Sequence, residues 1–267
     1  MTQPYYSDDL VTLFHGDFRD VDAWHGADAV VTDPPYGETS LEWDRWLAGW
    51  PALVAERSAV PQMWCFGSTR MFLDRREDFA AWRQAQDLVW SKPRGRGTDR
   101  DRFSRSHELV LHWYRGKWGD LYIDPPRVAY HGARVRHTRR GNVDDGSKVK
   151  PMAGGTYIDD GTRLMYTVID GDPGDPRTTH HPNQKPLSVL EPIIRYSCPP
   201  GGLVADIFAG SCSSLVAAKR LGRRAIGVEA NEKYCEVAAH RLSQGALVFE
   251  EPGTVPSVMG FALDEDG

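Results

Sequence analysis

The sequence predicts an α/β protein built on a doubly wound, mostly parallel sheet, and three observations carry that expectation. Short apolar, β-branched runs alternate with stretches of helical period at both ends of the chain. One run, "GGLVADIFAGS" at 201–211, passes straight into a glycine turn and a following helix. Three strands close on an acid, at Asp17, Asp33 and Glu229. In open α/β sheets the carboxyl ends of the strands line the ligand crevice.

The elements follow in order. "LVTLFHGD" (10–17) and "ADAVVTD" (27–33) are too short and too β-branched for helices and read as buried strands. "LEWDRWLAGW" (41–50) sets Trp43, Trp46, Leu47 and Trp50 at i, i+3, i+4, i+7, which predicts a helix with one aromatic face. Pro51 ends it and opens the next helix as its first residue, carrying "ALVAERS". "PQMWCFGS" reads as a strand, "TRMFLDRREDFAAWRQAQ" as a long helix, and "DLVWSK" and "HELVLHWYRG" as two further strands. From about Gly116 to His181 the periodicity dissolves into Gly, Pro, Arg and Asp, which predicts an insertion outside the repeating core. Regularity returns with "KPLSVLEPIIRYSCP" as a helix, the strand and turn at 201–211, "SLVAAKRLG" as a helix with a glycine stop, and "RRAIGVEA" as a strand. "NEKYCEVAAHRL" completes the series as a helix with an Asn cap. The expected organisation is a core made of 1–115 and 181–243, an insertion at 116–180, and an acidic tail at 244–267 docked only in part.

Bulk properties bound the function. A chain of 267 residues with 40% hydrophobic and 26% charged residues has the makeup of a compact soluble enzyme. No run of 18 apolar residues is present, and the N-terminus lacks a basic segment followed by an apolar core, so a cytoplasmic protein is expected. The four cysteines, Cys65, Cys198, Cys212 and Cys235, are scattered without metal-ligand spacing, so no metal is implied. The net charge of -5 conceals an asymmetry: residues 91–150 hold 15 Lys and Arg against 7 Asp and Glu, or +8, leaving -13 for the remainder. A basic stripe confined to one quarter of an acidic chain is the footprint expected of phosphate contacts, although a solvated loop has the same composition.

"DIFAGSCSS" does not fit the dinucleotide pattern G-x-G-x-x-G, which disfavours a nicotinamide enzyme. Nineteen residues beyond Gly210, Glu229 closes the next strand, where a carboxylate can accept both hydroxyls of a ribose. The remaining motif is "DPPY" at 33–36, directly after a buried strand. Its tripeptide recurs at Asp124, Pro125 and Pro126, where Arg127 replaces the tyrosine, and that copy fits a plain stiff turn.

Together, "DIFAGSCSS" and "IGVEANEKY" resemble the S-adenosylmethionine motifs of methyltransferases, and "DPPY" resembles the catalytic motif of DNA amino-methyltransferases. The order is DPPY first, then a basic region, then "HPNQKP", then the cofactor loop. It resembles the β group of these enzymes over roughly residues 10–242. The resemblance implies a Rossmann-like methyltransferase sheet with an inserted basic target-recognition region, S-adenosylmethionine as cofactor, and double-stranded DNA as partner. It implies a catalytic group of Asp33, Pro34, Pro35 and Tyr36: an amine clamp formed by the carboxylate and a prolyl carbonyl, with the tyrosine stacking on a flipped base. It implies that Asp17 binds the cofactor adenine, that Phe208, Ala209, Gly210 and Ser211 wrap its methionine side with Asp206 and Cys212 also in the cofactor site, and that Glu229 holds its ribose. His181, Gln184 and Lys185 would lie along it, with a Pro-rich helix start as the competing explanation. Cys212 stands where the family usually has glycine, so its side chain is expected to crowd the cofactor or shift the loop.

In the basic region Arg94, Arg96, Arg134, Arg136, Arg139 and Arg140 suit phosphate or guanine contacts. Asp rather than Ser before the prolines leans toward adenine N6, with cytosine N4 as the close alternative. An RNA or protein methyltransferase, and a non-catalytic nucleic-acid-binding relative, are the other readings. Carbon-5 cytosine chemistry needs a Pro-Cys thiolate, whereas Cys198 precedes its proline. A dimer is possible, and the sequence leaves a restriction endonuclease partner and the target sequence open.

Overall fold

A computed structural model describes residues 3–96, 101, 103–129, 135–138, 155–158, 161–171 and 184–244. The chain begins with β1 (Tyr6–Ser7) and β2 (Val11–His15), which pair antiparallel. β3 (Ala29–Thr32) follows, then α1 (Trp50–Arg57), β4 (Gln62–Gly67) and α2 (Thr69–Asp74). Two long strands, β5 (Arg83–Arg96) and β6 (Arg105–Tyr114), form an antiparallel pair. Short strands come next: β7 (Arg127–Ala129), β8 (Val135–Thr138), β9 (Gly155–Ile158), β10 (Thr162–Leu164) and β11 (Val168–Asp170). The chain closes with α3 (Leu187–Ser197), β12 (Leu203–Asp206), α4 (Ser213–Arg220), β13 (Arg224–Glu229) and α5 (Glu232–Ser243).

The main sheet runs β1-β2-β13-β12-β3-β4-β6-β5-β11 among the described residues. Pairings from β2 through β4 are parallel, and β6 runs antiparallel to both its neighbours. The doubly wound expectation therefore holds. From β12 the chain winds through α4 to β13 on one side, and from β3 through α1 to β4 on the other. β12 and β3 thus flank the switch point, where crevices form at the carboxyl ends of strands.

Alternation along the strands divides the core in two. In β4, Trp64 and Phe66 face a layer made with Val189, Leu190, Ile193 and Ile194 of α3 and Leu215 of α4, while Met63 and Cys65 face Trp50, Val54, Phe72 and Phe79. All six residues of β4 are buried, as expected of a strand covered on both faces.

Several expectations need correction. Residues 41–49 form turns, not a helix: Gly49 at φ +74° breaks the helical path, and Pro51 fixes the start of α1 at Trp50. Trp43 is exposed, and the buried Asp44 accepts from the backbone N–H groups of Gly37, Glu38 and Thr39 at 2.7–3.1 Å. The long helix expected at 69–86 stops at Asp74, passes through a 3-10 turn (Arg76–Phe79), and residues from Arg83 on already belong to β5. Its apolar residues serve as the lid of the aromatic layer, with Phe79 stacked on Trp113 at 4.5 Å between ring centres. The insertion also joins the core at one point, since β11 pairs with β5 in the main sheet. Its other described strands form two separate ribbons, β7 with β10 and β8 with β9.

The remaining elements match their sequence signals. Asn231 caps α5 by accepting from the Lys233 N–H at 3.0 Å. No helix among the described residues is long and apolar enough to cross a membrane.

Candidate active site

A cleft of about 1380 Å³ opens at the switch point, and both sequence motifs line it. From the β3 side come Asp33, Pro34, Pro35 and Tyr36; from the β12 side come Asp206, Phe208, Ala209, Gly210 and Ser211; Glu229 and Asp17 stand at the ends of β13 and β2.

The wall after β12 is built from hydrogen bonds that fix its backbone. Asp206, buried at the end of β12, accepts from the Thr32 hydroxyl at 2.7 Å, from the Phe208 N–H at 3.2 Å and from the Ser214 hydroxyl. Burial pushes its carboxyl up to about 6. Glu229 accepts from the Gly210 N–H at 2.7 Å and the Asn231 N–H at 2.8 Å, and burial raises it too. The Gly16 N–H donates to the Glu229 carbonyl at 2.9 Å, and Gly16, at φ +147°, supplies the backbone that turns the chain toward Asp17. The Arg19 guanidinium, 2.5 Å from Asp17, holds that carboxyl below its usual range. Phe208 wedges edge-on against Phe18 and Trp50, at 5.5 and 5.4 Å between ring centres.

Cys212 departs from expectation. It has φ +60°, the left-handed backbone usually left to glycine, but its side chain is fully buried in the core and does not line the cleft. The expectation that the thiol meets the cofactor is therefore corrected: the backbone keeps the glycine-like turn and turns the side chain inward. Arg241 of α5 locks the outside of the same loop, donating to the Ser211 carbonyl at 2.8 Å and to the Ser213 hydroxyl at 3.0 Å.

On the opposite wall, the Tyr36 hydroxyl donates to Asp33 Oδ1 at 2.6 Å, and Lys185 Nζ lies 2.8 Å from Asp33 Oδ2. Asp33 keeps 27% of its side-chain surface, on the cleft side. Burial raises its carboxyl, Lys185 draws it down, and Glu108 pushes it up again, with a net rise. Burial also raises the Tyr36 hydroxyl well above its usual value, so it stays a donor. Lys185 lines the cleft, and its ammonium sits between Asp33 and Glu108, 3.0 Å from Glu108 Oε2. Gln184 is half-buried beside it.

Sequence reasoning missed Glu108, Lys92, Thr32 and Arg241. Glu108 and Lys92 were counted as part of a basic stretch; a charged residue at the end of a buried strand was the available signal. His181, Arg134, Arg139 and Arg140 lie outside the described residues, and the side chains of Arg94, Arg96 and Arg136 do too.

Residues 27–240 match the N6/N4 methyltransferase family model, described as DNA methylase. The chain is 25% identical over 254 residues to the Type II methyltransferase M1.MboII of Moraxella bovis, covering 85% of this chain and 94% of that protein. It is 25% identical over 265 residues to the Type II methyltransferase M.ScaI of Streptomyces caespitosus, covering 91% and 85%. The fold is similar to that of a M1.HpyAVI–SAM complex, at 24% identity and TM-score 0.58 over 87% of this chain and all of that one. It is also similar to the PvuII DNA methyltransferase (cytosine-N4-specific), at 16% identity and TM-score 0.60 over 90% and 89%.

Proposed function

Because this chain belongs to the DNA methylase family of N6/N4 amino-methyltransferases, we propose that it transfers a methyl group from S-adenosylmethionine to the exocyclic amine of a flipped-out base in double-stranded DNA, adenine N6 by preference. The observation that carries the reading is the placement of Asp33 and Tyr36 across one cleft from Gly210 and Glu229, at the switch point of the sheet.

The donor set suits a nucleoside sulfonium. Glu229 faces the cleft from a strand end, where it can accept from ribose hydroxyls, and Asp17 stands beside it for an adenine amine. The backbone from Phe208 to Ser211 lines the space between them and Asp33. S-adenosylmethionine supplies, when bound, a methyl group already activated on sulfur.

The chain's own residues address the weaker reactant. An exocyclic amine donates poorly because its lone pair is delocalised into the ring. Asp33 and the Pro34 carbonyl accept its two hydrogens and localise that pair on nitrogen, so the work is alignment and charge stabilisation. The Tyr36 hydroxyl orients the carboxylate while its ring offers a face to the base. The nitrogen so prepared would take the methyl group that the bound cofactor supplies, and Asp33 and the Pro34 carbonyl are the acceptors toward which its surplus proton would leave.

The lean toward adenine rests on the Asp of the motif. The insertion, with its basic residues, is assigned to reading the target, and the two Type II relatives suggest a role in restriction–modification. Nucleoside mass spectrometry on DNA from a methylation-free host, beside an Asp33→Ala control, tests all of this. N6-methyladenine made only by the intact chain supports the reading, N4-methylcytosine moves it to the other base, and neither product overturns it.

A further inference from the structure

Behind Asp33 lies a buried file of alternating charge that amine binding does not itself require. Lys185 Nζ is shared between Asp33 Oδ2 at 2.8 Å and Glu108 Oε2 at 3.0 Å, and Lys92 Nζ sits 2.7 Å from Glu108 Oε1. The four groups come from the loop after β3, the segment before α3, β6 and β5, so local sequence does not force them together. Lys185 is caged as well as paired: its Nζ lies 5.1 Å from the Phe66 ring centre and 5.6 Å from that of Trp90, which limits its other positions. The other titratable groups facing Asp33 are Tyr36 on its own loop, Cys65 of β4 and Asp206 of β12.

We propose that Lys185 and Glu108 are positioning residues that act through Asp33 in opposite senses, Lys185 holding its carboxylate ionised and aimed into the cleft, Glu108 sharing the same ammonium and weakening that hold. The inference rests on the amine-clamp reading above. An Asp33 without a cation in so enclosed a place takes up a proton and becomes a donor, unable to accept an amine hydrogen. An Asp33 with an ammonium to itself is ionised but already satisfied, and a poorer acceptor for substrate. Dividing the ammonium between two carboxylates keeps Asp33 both charged and available, and Lys185 together with Lys92 keeps Glu108 ionised against its burial so that the division persists. The directions of titration agree: both carboxylates push Lys185 up against its burial, and Glu108 pushes Asp33 up while Lys185 draws it down.

The test compares the pH profile of kcat/KM for Lys185→Met and Glu108→Gln with that of the unaltered chain. In Lys185→Met the acid limb moves to higher pH; on the acid side the variant loses about tenfold more of its own plateau activity. In Glu108→Gln, which is isosteric and keeps a hydrogen bond to Lys185, the limb moves the other way. A merely structural role lowers both plateaus without moving the limbs apart, and limbs that stay put or move together overturn the proposal. If Lys185→Met fails to fold, the downward shift in Glu108→Gln decides alone. The same variants labelled with [γ-13C]aspartate give the Asp33 titration directly, its signal identified by its loss in Asp33→Asn. Opposite movements there support the pair even if no DNA base is methylated, an outcome that sinks the amine-transfer reading separately; unchanged titration overturns the pair even if methylation proceeds.

Discussion

The Thr32 hydroxyl donates to Asp206 Oδ1 across 2.7 Å, joining the last residue of β3 to the last residue of β12. Asp33 follows the first and the cofactor loop follows the second, so one buried hydrogen bond sets the spacing of the two cleft walls. Thr32→Val is isosteric and leaves Asp206 one donor short. It is expected to cost about 1–3 kcal/mol of unfolding free energy and to weaken cofactor binding and turnover together. Thr32→Ser, which keeps the hydroxyl, restores both; urea titration and calorimetric binding check the pair.

Asp33→Asn keeps the shape of the acceptor but offers an amide where a carboxylate stood. Methyl transfer in a single turnover is expected to fall about 10²–10³-fold, with little change in cofactor affinity. Tyr36→Phe, which loses only the donor to Asp33 Oδ1, is expected to fall by less than Tyr36→Ala, which also loses the ring.

Because the Cys212 side chain packs in the core, Cys212→Gly is expected to leave the cofactor Kd within about twofold, since nothing beyond that thiol is removed. Its stability is expected to stay within about 1 kcal/mol, relief of the left-handed backbone offsetting a small cavity. A tenfold tighter Kd would show that the thiol does intrude on the cleft.

Acid titration of stability offers a check on the core. His112 of β6, fully buried, lies parallel to Trp64 at 4.3 Å, with Nε2 3.1 Å from Gln62 Oε1, and burial pushes it down to about 4. A histidine with a depressed folded value binds its proton more readily when unfolded, so its contribution is present above about 6.5 and is lost as pH falls toward 4, by about 3 kcal/mol. Asp206, raised to about 6, has the opposite slope between about 4 and 6. The difference between the unaltered chain and His112→Phe isolates the histidine: urea midpoints of the variant are expected to fall less between pH 6.5 and 4.5.

The parts of the fold that were legible in the sequence are those where local period and tertiary role agree. β2, β3, β12 and β13 are short apolar runs ended by turn residues, and α5 carries its Asn231 cap; nothing nonlocal contradicts them. The tryptophans at 43, 46 and 50 misled because helical spacing also arises when a loop drops residues one by one onto an aromatic layer: Trp46 lies 6.0 Å from Trp50 and 6.3 Å from Phe79, yet Asp44, between Trp43 and Trp46, ties the chain back to the backbone of residues 37–39. The cleft motifs were legible because they are contiguous. The Lys185, Glu108 and Lys92 file was not, since its members are 77 and 16 residues apart in the chain and meet only through sheet order.

That sheet order also governs how the protein comes into being. β13 and β12 lie between β2 and β3, so these two early strands cannot touch each other and must wait for a pair made near the end. At ordinary rates of synthesis roughly 10 to 40 s pass before that pair arrives, during which β2 and β3 each keep one bare edge, the other being covered by β1 and by β4. β3, β4, β6 and β5 can therefore pair as they leave the ribosome, but β2 joins them only once β12 and β13 have filled the gap. A break in the connecting region would leave two fragments that regain a working sheet only by finding each other, the later one slotting into the gap held open by the earlier.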